Sequence, residues 1–208
     1  VYPHPTEEEV AHAPPLLSDL LRLRPIEDDK RRCRSQRGQW RTFKAQLHGC
    51  VIGSSREGRW HVQGKGEPIT LLAEFKKDQL DGLYIELHKS GRARAQGRWA
   101  QGKKEGRWLS WHPGGQLASL AHYEGGAQHG RFFTWFDSCL PQEWGAFKEG
   151  ERHGPWRTWY MTGARQQEGR YEEGRQEGRW SFYHSEGNKI EEGELRAGLK
   201  EGAWQEWL

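Results

Sequence analysis

Apolar positions in this chain are aromatic more often than aliphatic, and they fall in short alternating segments between glycine-bearing turns, not at helical spacing. The segment Glu105-Gly106-Arg107-Trp108-Leu109-Ser110-Trp111 is typical. Its glycine returns every 24 residues, at Gly58, Gly82, Gly106, Gly130, Gly154, Gly178 and Gly202. Two residues after each glycine stands an aromatic side chain: Trp60, Tyr84, Trp108, Phe132, Trp156, Trp180 and Trp204. Three residues further on, a second ladder runs Leu87, Trp111, Trp135, Trp159, Tyr183 and Trp207. A period of this length marks a repeat array.

Between anchors a second half-unit recurs: Gly97-x-Trp99-x-x-Gly102, Ala121-x-Tyr123-x-x-Gly126, Gly145-x-Phe147-x-x-Gly150, Gly169-x-Tyr171-x-x-Gly174 and Gly193-x-Leu195-x-x-Gly198. Glycine supplies the positive φ of tight turns and aromatic residues favour strands, so each unit reads as a β-hairpin. The expected fold is all-β: a single-layer antiparallel sheet of stacked hairpins over residues 38–208, preceded by a flexible Pro-rich acidic segment and a short capping helix within residues 1–37. A turn at Lys103-Lys104 would set Trp99 opposite Trp108. The same arithmetic pairs Tyr123 with Phe132, Phe147 with Trp156 and Tyr171 with Trp180. The glycines of the second half-unit leave room for a neighbouring ring to lie over the backbone.

The G-x-W-x-x-W, G-x-Y-x-x-G and E-G-R-W signatures resemble MORN repeats, in the long bacterial variant often labelled antitoxin-like, over about residues 38–208. The resemblance implies an elongated, curved sheet and a scaffolding role without catalysis, with another protein as partner. An antitoxin or immunity protein that neutralises a dedicated toxin is the alternative. The unit is longer than the eukaryotic pattern, so contact with membrane lipid is not expected.

Composition narrows the picture further. Hydrophobic residues make up only 34% of the chain, with 27 glycines, which is poor material for a thick core; twelve tryptophans compensate, because large rings bury much area and a repeat array needs only neighbour contacts. Net charge is +3, from 32 basic and 29 acidic residues closely mixed, so nucleic acid is not the expected partner. The exception, Lys30-Arg31-Arg32-Cys33-Arg34 after Glu27-Asp28-Asp29, reads as a self-paired linker. No C-x-x-C pair or metal-ligand spacing appears, and neither a metal nor a cofactor is expected.

Cys33 and Cys50 flank the first hairpin and would staple an end cap in an oxidising compartment, and the acidic, Pro-rich opening suits a tether behind a removed signal; both favour an extracytoplasmic location. Cys139 takes the place of the turn glycine seen at Gly91, Gly115, Gly163 and Gly187. A leucine stripe at Leu16, Leu17, Leu20, Leu21 and Leu23 predicts a short helix ended by Pro25, read as a cap over the first hairpin's edge, with a docking helix for a partner as the alternative. The stretch Gly64-Lys65-Gly66-Glu67-Pro68 reads as a hairpin turn. His129 and His153 read as turn residues standing in for Glu57, Glu105, Glu177 and Glu201.

Candidate binding residues come from the second ladder, which lies an odd number of residues after the spine and so on the opposite face, beside Arg107, Arg131 and Arg179. Two readings follow. Either a bulge returns Trp111, Trp135, Trp159, Tyr183 and Trp207 to the core, which such regularity favours, or they form an exposed aromatic and arginine strip of hot-spot composition. On the second reading a partner binds around Trp111, Trp135 and Trp159. Acid and arginine about each anchor (Glu57/Arg59, Glu105/Arg107, Glu177/Arg179) are expected to form exposed charge ladders. Unpaired terminal strands would allow self-association.

Overall fold

A computed structural model describes residues 26–43, 47–63 and 68–207. The expected leucine-stripe helix and most of the Gly64–Pro68 turn lie outside the described residues. The chain divides into two compact units, Val1–Glu105 and Gly106–Leu208. Helix α1 (Ile26–Ser35) opens the first, followed by β1 (Gln39–Phe43), β2 (Leu47–Ile52), β3 (Ser55–Gln63), β4 (Ile69–Lys76), β5 (Gln79–Leu87) and β6 (Ala93–Ala100). The second carries β7 (Lys103–Trp111), which begins just before it, β8 (Leu117–Glu124), β9 (Ala127–Trp135), β10 (Pro141–Lys148), β11 (Glu151–Arg152), β12 (Gly154–Trp159), β13 (Arg165–Glu172), β14 (Arg175–Tyr183), β15 (Lys189–Arg196) and β16 (Leu199–Glu206). The fold is all-β. In each unit the strands form a single antiparallel layer of successive hairpins in chain order, with the β11–β12 pair acting as one strand interrupted at His153.

The hairpin turns fall two residues earlier in the repeat than the expected Lys103-Lys104 position. Both central residues are left-handed at Gln101-Gly102, Gly125-Gly126, Glu149-Gly150, Glu173-Gly174 and Ala197-Gly198, the arrangement that matches strand twist in two-residue hairpins. Lys103 and Lys104 already belong to β7. The anchor glycine sits in mid-strand and not in a turn: Gly106, Gly130, Gly154 and Gly178 have φ of 66°, 85°, 79° and 71° and form bulges. Each bulge shifts the pairing, so the expected aromatic pairs are not directly opposed. Tyr123 faces Gln128, Phe147 faces Arg152 and Tyr171 faces Gln176.

The rings meet diagonally instead. In the second unit Phe132–Phe147, Phe147–Trp156, Trp156–Tyr171 and Tyr171–Trp180 are edge-to-face at 5.2–5.4 Å. Trp156 and Trp180 are sealed, at 1% and 0% exposure, which makes this face the aromatic spine.

Candidate functional site

The face opposite the spine is built by one cross-strand row. In the second unit it runs Leu109, Leu120, Phe133, Trp144, Arg157, Glu168, Ser181, Glu192 and Gln205, each opposite the next. Its first half is apolar, with Leu109, Leu120 and Phe133 buried. Its second half is a charged network. Arg157 and Arg165 reach Glu168 at 3.2 and 2.6 Å, and the Tyr183 hydroxyl donates to the same carboxylate at 2.8 Å. Burial pushes the Glu168 pKa up, but the Tyr183 hydrogen bond and the two arginines outweigh it and hold it below the usual range. Lys189, Ser181 and Arg179 all donate to Glu192, and these bonds, that from Lys189 foremost, hold its pKa at about 2. The guanidinium of Arg157 also lies 5.4 Å from the Trp144 ring centroid.

The second ladder lies beside this row, at a further bulge. Pairing slips by one residue between Ser110 and Trp111, between Thr158 and Trp159 and between Phe182 and Tyr183. The consequence differs along the ladder. Trp111 and Trp159 are buried at 6% and 4% exposure, Trp135 and Tyr183 are half-buried, and Trp207 is 36% exposed. Arg107, Arg131 and Arg179 are all exposed. Trp135 stacks on Phe133 at 5.8 Å, and Lys189 lies 5.7 Å from the Tyr183 ring and 5.2 Å from that of Trp207. Trp111 and Trp159 therefore pack, and the ladder residues that reach the surface are Trp135, Tyr183 and Trp207.

The repeated acids have a role that pattern alone does not disclose. Glu57 accepts a hydrogen bond from the amide of Lys77 at 3.0 Å, and Glu177 from that of Ala197 at 2.8 Å, each 20 residues on. Each caps the next hairpin turn. In these two motifs the arginines turn elsewhere, Arg59 to Asp29 and Arg179 to Glu192, so Glu57/Arg59 and Glu177/Arg179 do not make the expected ladder. The constant 20-residue spacing between acid and turn was the available signal. At the His129 position the imidazole lies 3.7 Å from Glu124.

The run after Pro25 is helical, not a linker. Lys30 and Arg31 pair with Glu27 and Asp28 one turn earlier, which is the self-pairing the charges suggest. The inward residues anchor α1 to the sheet: Cys33 is disulfide-bonded to Cys50, with 5.5 Å between Cα atoms, and buried Asp29 meets Arg59 at 2.5 Å. A cleft of about 350 Å³ opens beside these groups, lined by Arg32, Trp40, Glu57, Glu74, Lys76 and Asp81 among others. Its walls carry both signs of charge. Among the described residues, no three His, Cys, Asp or Glu side chains are grouped to hold a metal ion. No protein-family model matches the sequence, and no curated protein matches it.

Proposed function

We propose that the chain is a non-enzymatic protein–protein interaction scaffold built on MORN-like repeats. The observation that carries this reading is the exposure, at repeat-related positions of one unit, of Arg107, Arg131 and Arg179 together with the partly exposed Trp135, Tyr183 and Trp207. Aromatic and arginine side chains contribute most of the energy of typical interfaces, and a rigid sheet presents them with little ordering cost. The Cys33–Cys50 disulfide supports an oxidising, extracytoplasmic setting.

The test is affinity capture with the whole chain as bait, alongside variants Tyr183→Ala and Trp207→Ala. A scaffold retains one defined partner that both variants lose, Trp207→Ala with a melting temperature near that of the parent and Tyr183→Ala with the modest loss expected from its bond to Glu168. Capture that is indifferent to both substitutions overturns the assignment of this face. If the partner proves lethal when expressed without this chain, the antitoxin form of the reading replaces the scaffold.

A further inference from the structure

Strand β16 differs from the other strands that carry an anchor glycine. It pairs with β15 on one side, and no described strand lies on its other side. Every residue from Leu199 to Glu206 is exposed except Trp204, which is half-buried. The equivalent rings of Trp60, Trp156 and Trp180 are 0%, 1% and 0% exposed. Those rings lie on strands paired on both sides, and an unpaired edge is a template for a further strand.

The array itself states what that strand must carry, because each earlier anchor strand pairs with the strand after it in one register. The anchor glycine stands opposite an aromatic residue or leucine, and the aromatic residue two places on stands opposite glycine or alanine. Gly154 faces Tyr171 while Trp156 faces Gly169, and Gly178 faces Leu195 while Trp180 faces Gly193. The rule holds equally at Gly58, Gly82, Gly106 and Gly130. All these glycines have positive φ, as Gly202 does, so the bulge is compatible with pairing on that side.

On β16 the rule asks for a large apolar residue opposite Gly202 and a small residue opposite Trp204. A second β16, antiparallel about a two-fold axis at Ala203, supplies both, since Gly202 of each copy then stands opposite Trp204 of the other. The same register sets Lys200 opposite Glu206 of the second copy at either end of the joint, and opposite charges stabilise a cross-strand pair. Within its own chain Glu206 stands opposite Glu191, a like charge, while Lys200 pairs with Glu191 and keeps 53% of its side chain exposed.

We propose that two copies of this chain join edge to edge through β16, centred on Ala203, so that the antiparallel layer of the second unit runs from one copy into the other. The inference goes beyond the scaffold reading and draws nothing from it, because it concerns the sheet edge and needs no partner protein.

The experiment uses the full chain with Cys139→Gly, which removes the exposed thiol and leaves the Cys33–Cys50 disulfide in place. Sedimentation velocity over a concentration series is expected to pass from the mass of one copy to that of two and to stop there. Register is read by mild oxidation of added cysteines. Ala203→Cys should cross-link to itself, since facing residues of an antiparallel pair come within disulfide reach. Gln205→Cys should not, because the two copies of that residue are offset by four places, about 14 Å, whereas an equal mixture of Gln205→Cys and Glu201→Cys should. Charge is read by Glu206→Lys, which relieves the repulsion from Glu191 inside its own chain yet sets two cations opposite each other across the joint. Pairing of the copies should weaken about tenfold with an unchanged circular dichroism spectrum, and Lys200→Glu/Glu206→Lys should restore it. A chain that stays single at about 1 mM overturns the proposal. So does growth past two copies, which marks a head-to-tail joint, cross-linking of Gln205→Cys alone as fast as Ala203→Cys, or indifference to Glu206→Lys. Failure to capture a partner protein removes the scaffold and leaves each of these outcomes as it stands.

Discussion

The Trp180 ring lies over the backbone of Gly169, so closely that a Cβ added there would fall 2.2 Å from its Cδ2 atom. The relation recurs with Gly49 under Trp60, Gly145 under Trp156 and Gly193 under Trp204, at 2.1, 2.0 and 2.5 Å. Where the position holds alanine, the next ring is smaller: Ala73 precedes Tyr84 and Ala121 precedes Phe132. Ring size and backbone clearance are matched pair by pair. Gly169→Ala is therefore expected to cost about 2–3 kcal/mol by overpacking. The double variant Gly169→Ala/Trp180→Phe, which copies the Ala121/Phe132 pair, should cost less than the sum of its single changes in a double-mutant cycle read from denaturant unfolding. Additive losses would show that the two residues are independent.

That match was legible in the sequence, because a glycine that recurs at a fixed distance from a large ring points to a ring seated on bare backbone. So was the Cys33–Cys50 pair, which flanks one hairpin. The bulges were not. A recurrent glycine signals positive φ but does not say whether the conformation serves a turn or a mid-strand bulge, and in this fold Gly106 and its equivalents take the bulge while Gly102 and its equivalents take the turn. Helix α1 escaped for a related reason: it is held by a disulfide and a buried ion pair, not by an apolar stripe that periodicity would reveal. Burial of the ladder depends on what covers each ring, so Trp159 and Trp207 read alike in sequence and differ in space.

Cys139 holds the backbone of a turn glycine without being one. Its φ is 66°, beside 98° at Gly115 and 86° at Gly163, and a side chain at such φ costs about 1 kcal/mol or more. Glycine relieves that strain but loosens the unfolded chain. Cys139→Gly is expected to raise stability by about 0.5 kcal/mol, and Cys139→Val to lower it by more than that. Thermal melts at low protein concentration, which keeps this exposed thiol from pairing between molecules and leaves the Cys33–Cys50 disulfide intact, are the measurement.

His61 gives the first unit a pH dependence. It is buried and stacked on His48 at 4.9 Å, and burial first, then the nearby His48, Arg59 and Lys30 charges, lower its pKa to about 4. The unfolded chain takes up the proton near pH 6.5, whereas the folded chain resists it until about pH 4. Stability is thus flat above pH 6.5, falls as pH drops from there to about 4, and levels off below. The loss amounts to about 2–3 kcal/mol over that window. Unfolding curves between about pH 7 and 5, where few carboxylates titrate, should show it, and His61→Gln should remove most of the slope.

The ladder supplies the sharpest contrast, since Trp159 and Trp207 occupy one repeat position yet differ ninefold in exposure, 4% against 36%. Trp159 is enclosed within its unit, where pairing slips between Thr158 and Trp159, while Trp207 donates its amide to Ile190 beyond the end of β16 and leaves its ring to Lys189. Emptying the Trp159 site is expected to cost about 3–5 kcal/mol, and Trp207→Ala under about 1 kcal/mol. In a repeat array each unit leans on its neighbours, so the Trp159→Ala loss should appear first as faster amide exchange in β12–β14, before global unfolding. Partner binding separates the roles further. Trp207→Ala should weaken binding with melting unchanged, because an exposed ring can serve a partner without supporting the sheet. Trp159→Ala should affect binding only through the loss of structure, so that binding and amide protection fall together as temperature rises. Binding lost by Trp159→Ala at a temperature where β12–β14 remain fully protected would place the buried ring in the interface itself.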